Sequence, residues 1–148
     1  MNPLITDYFA AEDAIVARLK EAVPEAKAVL TPFTANDIKE LAQVTPCLHV
    51  IYAGDNVARD SAGNRIASMV DQRWLVIIAV RTAHAQLADT TEIRRLVGPL
   101  VVKVLVALQG WSPVEWMRPL GRSSGSPPAG YSSSFAYYPF VFEGRVSI

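Results

Sequence analysis

Residues 73–82 read RWLVIIAVRT. Successive side chains of a strand point to opposite faces of a sheet, so a strand with one wet face alternates apolar and polar residues. This stretch does not. Trp74, Val76, Ile78 and Val80 fall on one face, and Leu75, Ile77 and Ala79 fall on the other. A strand that is apolar on both sides needs cover on both sides. Two layers of cover therefore have to be found.

Helical cover is easy to find. Tyr8, Ala11, Ile15, Leu19 and Ala22 recur at three- and four-residue spacing, which predicts a helix from Asp7 to about Val23, capped by Thr6 or Asp7 and stopped by Pro24. A longer helix is introduced by Asp89 with Glu92. Ile93, Leu96, Val97, Leu100, Val101, Val104, Leu105 and Leu108 then hold helical spacing up to Gly110. Within it, Gly98-Pro99 predicts a kink or a restart, because proline lacks the backbone donor and crowds the carbonyl of Arg95. Pro99, Val102 and Val106 form a second, narrower apolar strip, open to core burial or to contact with another subunit.

Other segments read as strands and connections. AKAVLTPF is a short strand that Pro32 places at an edge or ends, and a short helix from Asn36 to Gln43 follows, introduced by Thr34 and Asp37. CLHVIYAG is a strand with Leu48, Val50 and Tyr52 on one face. The polar stretch from Gly54 to Ser68, with Gly63-Asn64 as a turn signal, joins two strong strands and predicts a projecting hairpin arm. VEWM reads as a short strand, and 121–134 has the composition of a flexible loop. FAYYPFVFEGRV closes the chain as a strand with Tyr138, Phe140 and Phe142 on one face and Pro139 marking an edge or bulge.

This order predicts an α+β domain spanning residues 1–148. Its mainly antiparallel sheet has the N-terminal helix and the long helix of the C-terminal half packed on one face, with the hairpin arm projecting. The second face of RWLVIIAVRT is then left to the C-terminal strands or to a neighbouring subunit.

Composition narrows the function. Lys plus Arg and Asp plus Glu number 14 each, so the net charge is zero, and a general nucleic-acid binder would need a basic surplus. Charge is nonetheless uneven along the chain: residues 1–50 hold seven acids and four bases, residues 93–148 two acids and six bases. Such lengthwise polarity suits self-association. No apolar run approaches the roughly 18–20 residues of a membrane span, and the start MNPLITDYFAAEDAIV carries acids where a signal peptide carries bases. A cytosolic, unexported product is expected.

Chemistry is sparse. The one cysteine, Cys47, can form no internal disulfide, and the chain has no phosphate-binding glycine loop, HExxH, G-x-S-x-G or paired-cysteine metal site. Cys47 and His49 share a strand face, but two ligands do not make a zinc site and a catalytic pair needs its base placed across a cleft. Asp89 reads as a helix cap, and Asp55, Asp60 and Asp71 as solvated loop residues beside Arg59 and Arg65. The run Phe135, Tyr137, Tyr138, Phe140 and Phe142 reads as packing, since a stacking platform for nucleic acid would have basic surroundings. No cofactor and no metal are expected. A small enzyme using Cys47 or the loop aspartates is the alternative from another class.

The series ELAQVTPCLHVIYAG, polar hairpin, RWLVIIAVRT, long helix closing in LQGW, and YPFVFEG, after an opening amphipathic helix, resembles the small tail terminator proteins of long-tailed bacteriophages, especially those of Mu-like phages. Order and length carry the likeness over nearly the whole chain. Gly98-Pro99 and the long Ser/Gly/Pro segment depart from the simple pattern. The resemblance implies a non-enzymatic virion protein: a homo-oligomeric ring, hexameric in such proteins, that caps the tail tube at its head-proximal end. It stops polymerisation and offers a surface to the head connector, with DNA passing through. A head-to-tail connector or tube-like subunit is the near alternative. On this reading the partner-binding candidates are Asp55, Arg59, Asp60 and Arg65 of the arm, Pro99, Val102 and Val106 of the helix strip, and Arg122.

Overall fold

The structure, a computed structural model, describes residues 5–148; residues 1–4, the beginning of the start read above against a leader, lie outside the described residues. Two helices, α1 (Ala10–Ala22) and α2 (Thr91–Leu108), accompany six strands: β1 (Ala28–Leu30), β2 (Cys47–Val57), β3 (Met69–Arg81), β4 (Gly121–Arg122), β5 (Gly130–Ser132) and β6 (Phe135–Ser147). They form one sheet in the order β1-β2-β3-β6-β4, with β5 also paired to β6. Among the described residues only β1 and β2 run parallel, and the other strand pairings are antiparallel. This is the expected α+β architecture.

Both helices carry the expected apolar stripes, but α1 begins at Ala10 rather than Asp7, and neither N-cap residue, Phe9 or Thr90, makes a side-chain cap bond; the expected aspartates act just outside the helices. Asp7 Oδ1 accepts the backbone N–H of Phe9 at 2.9 Å just ahead of α1, whose Ala11, Ile15 and Leu19 are fully buried. Asp89 Oδ1 accepts from the N–H and hydroxyl of Thr91 at 3.1 and 2.6 Å, opening α2. The apolar stripes of both helices pack on Leu48, Val50, Trp74, Val76, Ile78 and Phe142, the core. Of the kink or restart expected at Gly98-Pro99, the restart does not occur: α2 runs unbroken through Pro99. Arg95, Gly98 and Pro99 all lie on its exposed side, where water can take the carbonyl that proline leaves unpaired.

The second face is covered by a segment the sequence reading had assigned to a helix. Residues 36–43 are two separate 3-10 turns, Ala35–Asp37 and Glu40–Ala42, with Ile38 extended between them. The expected Thr34/Asp37 capping box is present. So short a helix is marginal without packing, and Leu41 points to solvent. Gln43 instead reaches the sheet and bonds His49 and Tyr137. Across the face, Ser132 of β5 donates to Glu40 Oε2 at 3.3 Å, joining this segment to the 121–134 stretch. Between the two lies a groove of about 400 Å³ floored by Leu75, Ile77, Tyr137 and Pro139. Cys47, His49, Ile51, Ile77 and Ala79 are thereby buried within one chain. A neighbour does not have to provide that cover; the lobe shares it with the C-terminal 121–134 stretch.

Two further expectations are corrected, and the edge expected at Pro139 is present. VEWM is a turn, and Met117 alone makes a single bridge to Val146. The 121–134 stretch is loop only in its middle, since its ends pair with β6 as β4 and β5. Pro139 sits opposite Ile77, in the gap between β4 and β5. Val141, two residues on, sends its N–H outward to Ser126 Oγ, so the missing donor of Pro139 falls on a locally free edge.

Candidate assembly surfaces

Asp55 lies within β2, not at an arm's tip. A register shift between Tyr52 and Asp55 surrounds Gly54, whose φ of 90° suits glycine. The extra residue moves Asp55 onto the helix-covered face, opposite Gln72. There its Oδ2 accepts the hydroxyls of Tyr8 at 2.7 Å and Tyr52 at 3.2 Å. Burial, and next the Asp55 carboxylate, hold the Tyr8 phenol above its ordinary range. Gln72 donates to the Tyr8 carbonyl at 2.7 Å and accepts from the Trp74 indole at 3.2 Å. Asp55 thus fastens the start of α1 to the sheet.

Beyond it, pairing between β2 and β3 ends at Val57 opposite Val70. The connection 58–68 contains a 3-10 turn, Arg59–Ser61, and the Asn64 side chain accepts the N–H groups of Ile66 and Ala67. Arg59, Asp60 and Arg65 are exposed on this loop. Its base is tied by paired backbone bonds between Ser68 and Ile148. Asp71 is not a loop residue: it makes a bidentate pair with Arg145 across β3 and β6, 2.8 Å for each bond.

The strip expected on α2 is open in the isolated chain. Val102 is 59% and Val106 73% exposed, and Pro99 is also exposed. Together with Ala22 of α1, the two valines line a groove of about 530 Å³ edged by Arg18, Glu21 and Lys103. Arg18 donates to the Ala107 carbonyl at 3.1 Å and stacks on Trp111, while Lys103 pairs with Glu25. Arg122 is exposed and stacks on Phe140.

A second apolar surface escaped the sequence reading. Phe33 is 87%, Leu41 95% and Val44 58% exposed, all on the 31–46 lobe. The signal was three large apolar residues in one short segment, and assigning a helix there, which would bury such a spacing, concealed it. The lobe covers the sheet face opposite the helices, so the two open apolar surfaces lie on opposite sides of the sheet.

The Cys47–His49 pair is a buried polar cluster. His49 Nε2 bonds Gln43 Oε1 at 2.9 Å, and the Cys47 thiol lies 3.6 Å from both His49 Nε2 and Gln43 Oε1. Burial pushes the thiol up to about 11 and the imidazole down to about 4, so both are neutral at pH 7. Among the described residues no group of His, Cys, Asp or Glu is placed to hold a metal ion, and no helix is long and apolar enough to cross a membrane.

No curated protein matches the chain. A model of the phage tail terminator protein family matches residues 5–148, almost the whole sequence. The match spans the sheet, both helices and both open apolar surfaces. The chain belongs to the phage tail terminator family and is a structural protein of the phage tail.

Proposed function

We propose that the protein works as a closed ring of identical copies that caps the head-proximal end of the tail tube, stops tube polymerisation and offers the surface to which the head connector attaches. Six copies is the ring size implied by the family resemblance. Beyond family membership, one observation carries the reading: large apolar side chains stand open on opposite sides of the sheet, on α2 and on the 31–46 lobe. A ring built head to tail needs two different surfaces on each subunit. The exposed loop 58–68, with Arg59, Asp60 and Arg65, and the exposed Arg122 supply polar contacts to the tube or the adjoining ring. DNA passes through without sequence readout, in keeping with a net charge of zero.

The test uses tails assembled without heads. Purified protein added to them should bind one end and hold tube length constant. Continued tube growth in its presence overturns the reading, and binding to filled heads but never to headless tails assigns the protein to the connector instead.

A further inference from the structure

We infer that the 31–46 lobe of one copy seats in the groove between α1 and α2 of the next copy. The inference rests on the ring reading above and names the surfaces that meet. The lobe offers Phe33, Leu41 and Val44 as knobs, rimmed by Asp37, Lys39 and Glu40. The groove offers Ala22, Val102 and Val106 as its floor, rimmed by Arg18, Glu21 and Lys103. The rims mirror each other in sign: two acids and one base on the lobe, two bases and one acid on the groove. Lys103 already holds Glu25, but as an exposed pair of the kind that contributes little and is readily exchanged.

The α2 strip is what such an occupant would need. Pro99, Val102 and Val106 are spaced by three and four residues, the spacing of a seam that faces a partner. They lie on the side of α2 away from its buried stripe of Ile93, Val97, Leu100 and Val104. With apolar residues on both sides, α2 has the pattern of a helix enclosed by protein. Knob and groove differ in shape and lie on opposite sides of the sheet, so each copy uses both at once and the contact is head to tail.

The experiment uses two full-length variants, Leu41→Glu, which spoils the knob, and Val106→Glu, which spoils the groove. Both positions are solvent-exposed in the single chain, so unchanged circular dichroism is expected. With wild-type protein assembling, each variant alone should sediment as a monomer. An equimolar mixture should stop at dimers, because one intact knob then meets one intact groove. Wild-type-like assembly by either variant overturns the inference and leaves the ring reading standing. So do homodimers of a single variant, which would show a self-complementary contact. Wild type that never self-associates overturns both; if Leu41→Glu then abolishes tail capping, the surface belongs to another partner. Should a glutamate variant misfold, the double variant Leu41→Cys/Val106→Cys decides. It should give a ladder of disulfide-linked copies on oxidation, since Cys47 is buried, and absence of the ladder from an assembling protein overturns the inference.

Discussion

His49 shows how one buried side chain sets a pH dependence. In the unfolded chain an imidazole takes a proton near 6.5, but at its 1% exposed position His49 does so only near about 4. Between those values the unfolded chain binds the extra proton, so stability is complete above pH 6.5 and falls as acid is added. The full loss is on the order of 3 kcal/mol. Urea unfolding at pH 7 and pH 4.5 should show this drop in wild type and a much smaller one in His49→Gln; equal drops would contradict the assignment. Asp71 acts in a lower window. Arg145 holds its carboxyl below the usual carboxylate range, so that contribution is present above the unfolded value and disappears only as pH falls through the depressed one. Residue identity alone did not reveal these roles. Strand alternation placed His49 correctly beside Cys47, but Asp55 was misplaced in the arm because β2 runs on through a bulge at Gly54 as far as Val57. Glycine in a strand is the warning sign, yet it does not say whether a bulge or a turn begins there.

Elements with a sustained repeat were legible, and elements held by long-range contacts were not. α1, α2, β2, β3 and β6 follow from the spacing and runs of apolar residues. The 31–46 lobe did not, since what holds it is Gln43 reaching His49 and Tyr137 across the sheet, a contact no local pattern encodes. The same holds for β4 and β5, too short to carry a period. Two predictions belong here. Gly98 is exposed in the interior of α2, and an added Cβ would meet nothing within 4 Å beyond the helix's own backbone and its chain neighbours, of which Pro99 disfavours helical backbone for any preceding residue that carries a Cβ. Gly98→Ala should therefore forgo the gain of about 0.5–1 kcal/mol that alanine gives elsewhere in a helix and leave the unfolding free energy unchanged or lower in denaturant titration; a gain of that size would contradict the restriction by Pro99. Replacing residues 59–66 by Asn-Gly leaves every β2–β3 pair intact. That variant should fold and self-associate like wild type but fail to cap headless tails, and normal capping would remove the loop from the contact surface.

For the whole molecule, the doubly apolar strand that dominates the sequence does not itself demand company, because the chain buries its second face with its own lobe and loop. The demand arises one layer further out. Covering one side with α2 leaves Val102 and Val106 open, and covering the other with the lobe leaves Phe33, Leu41 and Val44 open. Open apolar surfaces on both sides of a sheet are the usual mark of protein–protein contact. The most direct test is the sedimentation-equilibrium mass of the purified wild-type chain over a wide concentration range. The account predicts a closed assembly whose mass reaches a fixed multiple of 16.1 kDa and then stops growing. A single 16.1 kDa species at every concentration would contradict it.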